Sequence, residues 1–170
     1  MKWILFTGTW RLTNGEVEHD VRKAARETIE QGNGIVTGGA TGVDYFAMDE
    51  AVKLDPSCKT LRVIIPTHLE NYVKDYQTNW CQAPITMEAI ADLEKLLIYI
   101  RDTNPESLME MPNDGDITQD HYNDRHDEEV AISHEVYAFQ VNNSTGTQDT
   151  IDKAAKAGLP ITLHKKYTIA

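Results

Sequence analysis

The apolar positions of this chain fall into short continuous runs that alternate with stripes at helical spacing. Residues 2–7 form an apolar run that ends in Thr-Gly, and apolar residues then recur at helical spacing over residues 17–29. The same order returns with a run at residues 34–37 and a helical stripe at residues 43–54. Each run predicts a strand, and each stripe predicts the helix that follows it.

The second half of the chain continues this alternation after a stretch without a clear pattern. Residues 61–65 are rich in β-branched side chains, as buried parallel strands are, and residues 86–101 carry an amphipathic helical stripe. A fourth strand is predicted at residues 135–141, a helix at residues 150–157 and a fifth strand at residues 160–163.

Strands separated by helices are typical of an α/β fold whose parallel sheet lies between two layers of helices. We therefore predict one three-layer, Rossmann-like α/β domain over residues 1–170, with a mostly parallel sheet of five or more strands. Numbered along the chain, these strands are expected in the order 3-2-1-4-5. Ligands of such sheets bind beyond the carboxyl ends of the strands, so the loops after strands one, two and four should form the site.

The formal net charge of −11 is concentrated in one segment of the chain. Residues 102–135 contain eleven Asp and Glu and one basic residue, Arg125, whereas the remainder holds 16 acidic and 15 basic side chains. Because residues 103–122 also contain two prolines and few apolar residues, we expect a mobile acidic insertion there. No basic stripe remains, which argues against nucleic acid as a partner.

No pattern in the sequence indicates export or a membrane. The apolar runs are all shorter than the about 18 residues of a membrane span, and Cys58 and Cys81 show no disulfide or metal spacing. We expect a cytoplasmic protein with free thiols and no membrane contact. The sequence leaves open whether the protein forms a homodimer.

The loop after the second strand, Gly38-Gly39-Ala40-Thr41-Gly42, joins a strand to a helix through glycines. Glycines let the backbone approach a ligand closely, and the start of a helix offers free amides to an anion. The loop therefore predicts a phosphate site in which a side chain at Gly39 would occupy the phosphate's space, with Asp44 placed to bind a ribose. The alternative is a tight turn that Asp44 caps.

The loop after the fourth strand has a similar design. Ser144-Thr145-Gly146-Thr147 places small hydroxyl residues and a glycine before a helix, which predicts a second phosphate site or, alternatively, a helix N-cap. The turn after the first strand should adjoin both loops. The predicted ligand-binding residues are Thr7, Gly8, Thr9, Arg11, Gly38, Gly39, Ala40, Thr41, Gly42, Asp44, Arg125, Ser144, Thr145, Gly146 and Thr147.

These loops together resemble a known family. The segment from Gly38 to Asp44 is similar to the GGAxGxDxxA signature of the SLOG superfamily, which includes the LOG phosphoribohydrolases and the DNA-processing DprA proteins. The segment from Ser144 to Pro160 is similar to the end of that family's domain. The resemblance covers residues 2–66 and about 123–163, and it implies a Rossmann-like fold that binds a nucleotide-related ligand.

Two positions depart from the family's pattern. Related groups carry an Arg-Asn or Arg-Lys pair followed by Met before the fourth strand, and here Arg125-His126 stands in that place with Glu129 at the Met position. The LOG enzymes use a Glu of the last loop for N-glycosidic cleavage, whereas this chain has Thr150 there. The resemblance therefore implies that Arg125 is equivalent to the arginine of the family's pair and binds phosphate. The missing glutamate places LOG-type hydrolysis in doubt.

The loops and the resemblance predict binding of a phosphate-bearing small molecule, a nucleotide or nucleotide derivative, by a sensor, carrier or sequestering protein that requires no cofactor. One alternative is a nucleotide N-glycosidase of the LOG type, with Asp44 and Arg125 as candidate catalytic residues. A second alternative is single-stranded DNA binding of the DprA type.

Aromatic and histidine side chains are further candidates for ligand contacts. Trp10 is the best placed of the aromatics to stack on a base, because it lies in the loop after the first strand. His121, His126 and His134 are expected to be solvated surface residues, and no metal site is predicted since closed ligand spacing is absent. The aromatic candidates are Trp10, Tyr72, Tyr76 and Trp80.

Overall fold

The computed structural model describes residues 1–170 and contains one six-stranded sheet in which all neighbouring strands are parallel. The strands are β1 (Trp3–Gly8), β2 (Gly34–Thr37), β3 (Leu61–Ile65), β4 (Leu108–Glu110), β5 (Glu135–Val141) and β6 (Ile161–Tyr167). Their spatial order is β4-β3-β2-β1-β5-β6. Apart from the additional β4 this is the predicted order, and the predicted Rossmann-like α/β class is confirmed.

Six helices cover the two faces of the sheet. They are α1 (Gly15–Glu30), α2 (Val43–Leu54), α3 (Leu69–Asp75), α4 (Met87–Thr103), α5 (Gln119–Ala131) and α6 (Thr145–Lys156). The first four helices contribute to the main core of 28 buried apolar residues on one face. On the other face, α5 and α6 cover a smaller cluster that includes Trp3, Leu5 and Val136. None of the helices is both long and apolar enough to cross a bilayer.

Side-chain caps explain where the two longest helices begin. The side-chain carbonyl of Asn14 accepts a hydrogen bond of 3.0 Å from the amide of Val17 at the start of α1. The hydroxyl of Thr86 accepts one of 3.1 Å from the amide of Ala89 at the start of α4. Each cap satisfies an amide that the helix itself leaves free.

The acidic segment, expected to be a mobile insertion, contributes one strand to the sheet. Its residues 108–110 form β4, which pairs in parallel with β3 and buries Leu108 in the main core. The carboxylate of Glu110 accepts a hydrogen bond of 2.8 Å from the amide of Leu69 at the start of α3. A three-residue strand is too short to show an alternating pattern, which is why the sequence did not predict it.

Candidate functional site

The loops that follow β1, β2 and β5 meet in one cleft, because these three strands are neighbours in the parallel sheet. The cleft has a volume of about 410 Å³. Its floor includes Arg125 and His126, and the first turn of α6 forms one side with Thr145 and Gly146. Its aromatic lining residues are Trp10, Tyr72, Tyr76, Trp80 and Tyr122.

Three amides of the glycine loop at residues 38–42 already have partners within the protein, and that of Gly39 donates to the hydroxyl of Thr37 over 3.3 Å. The amide of Ala40 donates to Oδ2 of Asp44 over 3.2 Å, and the amide of Thr41 donates to the hydroxyl of Tyr76 over 3.1 Å. These donors are therefore not free for a phosphate, in contrast to the expected phosphate site. Instead, the loop positions side chains, and Asp44 caps it as in the alternative interpretation.

The space beside Gly39 differs from what the sequence predicted. Gly39 has a φ of +68°, and a Cβ atom there would lie 2.7 Å from Cγ2 of Ile65 and 2.9 Å from Cγ1 of Val63. The expectation that a side chain at Gly39 would occupy the space of a phosphate is therefore wrong. It would enter the core, so this glycine serves the packing of the loop onto β3.

The start of α6 offers the free amides that the glycine loop lacks. The amides of Thr145, Gly146 and Thr147 donate to no protein acceptor, and Ser144 makes no side-chain cap. Thr145 and Gly146 are exposed and line the cleft, whereas Thr147 is buried below them. Three free amides at the positive end of a helix dipole form a place for an anion.

Arg125 lies in the floor of the cleft with 8% of its surface exposed. Its Nη1 donates a hydrogen bond of 2.9 Å to the carbonyl of Gly38, and its Nε lies 3.5 Å from Oε1 of Glu129. Burial acts to lower the pKa of Arg125, but the nearby charge of Glu129 and other groups raises it above its usual value. The guanidinium is therefore a fixed positive charge held by the glycine loop.

Two buried carboxyl groups surround this guanidinium. Burial raises the pKa of Glu129 to about 8, against the opposing charge of Arg125. Burial likewise raises the pKa of Asp44 to about 6. Both line a small chamber of about 40 Å³ under the cleft, together with Arg125 and Gly146. Burial in the chamber therefore favours the protonated form of both carboxyl groups, whereas Arg125 stays a permanent cation.

His126 corrects the expectation that the histidines of the acidic segment are solvated. It is buried, and its Nδ1 lies 2.8 Å from Oδ2 of Asp149. Burial and the charge of Arg125 lower the pKa of His126 to about 4. Glu129 and Asp149 are site residues that the sequence did not predict. The signal for Glu129 was its spacing from Arg125 and His126, which places one cation and two polar groups on one face of a helix.

The residues predicted after β1 have mainly structural partners. The hydroxyl of Thr9 accepts a hydrogen bond of 3.2 Å from the amide of Val141, and Thr7 and Gly8 line the small chamber. Arg11 is exposed and donates over 3.3 Å to the carbonyl of Ala83, outside the lining of the cleft.

Thr150, which stands at the position of the LOG glutamate, is buried, and its hydroxyl donates to the carbonyl of Gly146 over 3.3 Å. No carboxylate projects from this position into the cleft. No group of three or more His, Cys, Asp or Glu side chains is arranged to hold a metal ion.

No protein-family model and no curated protein matches the sequence. Among solved structures, DNA processing protein A from Helicobacter pylori matches with a TM-score of 0.67 and 20% identity over 94% of this chain and 63% of its own. The DNA processing protein A of Streptococcus pneumoniae matches with a TM-score of 0.50 and 14% identity over 96% of this chain and 59% of its own. TM1055, a structural-genomics target, matches with a TM-score of 0.55 and 14% identity over 95% of this chain and 72% of its own.

These similarities correct the argument against a nucleic-acid partner. The Helicobacter pylori protein, whose single-stranded DNA binding mode its structure describes, shares this fold. That expectation rested on the absence of a basic stripe, whereas single strands are also bound by local stacking on aromatic side chains. The chain spans less than two thirds of the length of both DNA processing proteins. It shares the Rossmann-like α/β fold of these proteins, which the sequence predicted.

Proposed function

We propose that this protein binds a nucleotide or nucleotide derivative in the cleft, with a phosphate at the start of α6 and the base against the aromatic side chains. One observation carries the proposal: free amides, a fixed cation and half-buried aromatics line the same cavity of about 410 Å³. This volume lies in the range of about 300 to 1,000 Å³ that is typical of small-molecule sites.

The phosphate end combines two kinds of anion recognition. The amides of Thr145 and Gly146 supply hydrogen bonds and the positive end of the α6 dipole. Arg125 supplies a charge that the surrounding protein has already oriented, so little side-chain entropy is lost when an anion binds.

The base end consists of aromatic side chains on three different elements. Trp10 follows β1, Trp80 ends the π-helical turn after α3, and Tyr122 lies on α5. The rings of Trp10 and Trp80 meet edge to face with their centroids 5.0 Å apart. All three side chains are half-buried, which leaves ring surface for a planar base. Tyr72 and Tyr76 are buried and instead hold the glycine loop.

The proposed role is binding as a sensor, carrier or sequestering protein. Thr150 stands where a LOG hydrolase has its glutamate, and its hydroxyl is engaged within α6. The alternative of N-glycosidic cleavage would then need Asp44 or Glu129, which lie in the chamber under the cleft. Incubation with nucleoside monophosphates and detection of the free base separates binding from turnover.

Calorimetric titration with AMP, adenosine and ribose 5-phosphate tests the proposal. AMP should bind more tightly than adenosine, and Arg125→Ala should cost about 1.5 to 3 kcal/mol of AMP binding. Arg125→Lys should restore only part of this loss, because it keeps the charge but not the planar fork. Arg101→Ala, a surface arginine paired with Glu70, is the matched control and should bind as the wild type does. Equal affinities of all variants would refute the proposal.

Single-stranded DNA is the second candidate, and the fold shared with the Helicobacter pylori protein favours it. The same free amides and aromatics would then bind one phosphate and one base of a longer strand. A short oligothymidylate should bind more tightly than thymidine monophosphate if a strand is the ligand. Its affinity should also fall more steeply with salt, because more phosphates release counterions. Equal affinities of the two would favour the mononucleotide.

A further inference from the structure

We propose that Asp149 and His126 form a positioning pair that orients Arg125 toward the phosphate of the ligand, an inference that rests on the proposed function. The pair joins α6, whose first turn offers the free amides, to α5, which carries Arg125. It would therefore align the two halves of the phosphate site.

The hydrogen bonds assign one tautomer to His126. Its Nε2 lies 3.4 Å from Nη2 of Arg125, and its Nδ1 lies 2.8 Å from Oδ2 of Asp149. A guanidinium can only donate, so Nε2 must accept. The ring proton is then on Nδ1, where it donates to the carboxylate of Asp149. Both neighbours of the ring favour this same tautomer.

The guanidinium thus has polar neighbours on three sides, although Nε is within ion-pair distance of Glu129 without a hydrogen bond. Nη1 donates to the carbonyl of Gly38, Nη2 faces His126, and Nε faces the carboxyl of Glu129. These contacts fix the plane of the fork before a ligand arrives. Nη1 and Nη2 each carry a second N–H, and Arg125 lines the cleft together with Gly146.

The groups around the pair keep the ring neutral. His126 faces Arg125 on its own helix, and Asp149 and Lys153 on α6. Burial and the charge of Arg125 lower the pKa of His126 to about 4, although the bond to Asp149 acts in the opposite direction. A neutral ring can accept from Arg125, whereas a protonated ring would repel it.

Asp149→Asn removes the preference for this tautomer. The amide of an asparagine can donate to Nδ1, which moves the ring proton to Nε2 and turns a second N–H toward Arg125. Two donors would then face each other and displace the guanidinium. We expect AMP affinity to fall about tenfold, since a hydrogen bond to a charged group is lost, while adenosine affinity stays unchanged.

His126→Gln provides a conservative rescue. The side-chain carbonyl of a glutamine can accept from Arg125 without help from Asp149, so this variant should bind AMP within about threefold of the wild type. Once residue 126 is glutamine, Asp149→Asn should have no further effect, so the two changes should be strongly non-additive. Asp127→Asn is the matched control, because Asp127 also pairs with Lys153, at 3.3 Å, but has no contact with the ring.

The experiment measures AMP and adenosine binding to the wild type and these four variants by calorimetry, together with the imidazole ¹⁵N shifts of His126. Equal losses for AMP and adenosine, or additive effects in the double variant, would overturn the positioning pair and leave nucleotide binding intact. If the wild type binds no nucleotide, the proposed function fails. The ¹⁵N shifts still decide about the pair, because a proton on Nε2 would overturn it and a proton on Nδ1 supports it.

Discussion

Trp80 and Tyr122 donate hydrogen bonds to the same carboxylate oxygen, Oδ2 of Asp75, over 2.9 Å and 3.0 Å. The two aromatics lie on different elements, the π-helical turn after α3 and the first turns of α5. Asp75 therefore fixes the relative position of two of the rings that line the cleft. The aromatic wall is held by a polar contact as well as by packing.

Asp75→Ala should loosen this wall. Both donors would lose their acceptor, and because both rings are half-buried, water replaces it only in part. We expect a loss of about 1 to 2 kcal/mol in the free energy of unfolding and weaker binding of adenosine. Urea unfolding followed by tryptophan fluorescence measures the first effect. Asp75→Asn keeps one acceptor oxygen, so its free energy of unfolding should lie between those of the wild type and the alanine variant. An alanine variant as stable as the wild type would contradict the prediction.

Gly38→Ala should disturb the floor of the site. A Cβ atom at this position would press on Oε1 of Glu129 and lie 2.9 Å from Cζ of Arg125. Both side chains are buried, so they cannot move away freely, and we expect a destabilisation of about 1 to 3 kcal/mol. Gly15→Ala is the control, because nothing lies within 4 Å of a Cβ at Gly15. Chemical denaturation of both variants checks this, and equal midpoints would show that the floor adapts.

Gly146→Ala should separate stability from binding. Apart from its chain neighbours and the backbone of its own helix, nothing lies within 4 Å of a Cβ at Gly146, which is the second residue of α6. Alanine should stabilise the helix by about 0.5 kcal/mol, because the unfolded chain loses freedom. If a phosphate approaches the helix start closely, the added methyl group should reduce AMP affinity at the same time. A melting temperature and a titration on one preparation test both parts, and unchanged AMP affinity would place the phosphate elsewhere.

The buried Glu129 should make stability depend on pH. Its pKa is about 8 in the folded protein against a usual value of 4.5, so the folded state holds the proton more tightly. Its stabilising contribution is therefore complete below pH 4.5 and is lost as the pH rises through about 8. Glu129→Gln should remove this loss. The variant should therefore become more stable relative to the wild type, in free energy of unfolding, as the pH rises from 5 to 8. Parallel pH profiles would contradict a buried, protonated Glu129.

The sheet order could be predicted because short apolar runs alternate with helical stripes, which indicates a parallel sheet with right-handed crossovers. The loops of the site could be located for the same reason, since the carboxyl ends of neighbouring parallel strands meet at one edge. The start of α6 was placed too late, at about residue 150, although the helix begins at Thr145. Hydroxyl residues and glycine are weak helix formers, and the first turn of a helix tolerates them.

The buried polar residues of the site could not be predicted in the same way. Arg125 was identified through the family resemblance, but His126 and Glu129 look like surface residues in an acidic stretch. Their burial depends on the carbonyl of Gly38 and on Asp149, which are distant in sequence and become neighbours only in the fold. Periodicity of apolar residues carries no information about such contacts.

Helix α5 buries Arg125, His126 and Glu129, and Val130 is the one apolar side chain among its buried residues. Most helices pack onto a domain through an apolar face, whereas α5 packs mainly through the polar groups that would recognise the ligand. A substitution that changes ligand recognition would therefore also change the packing of α5, so these two properties would evolve together. In hydrogen exchange, the amides of α5 should be the ones whose protection follows occupancy of the cleft.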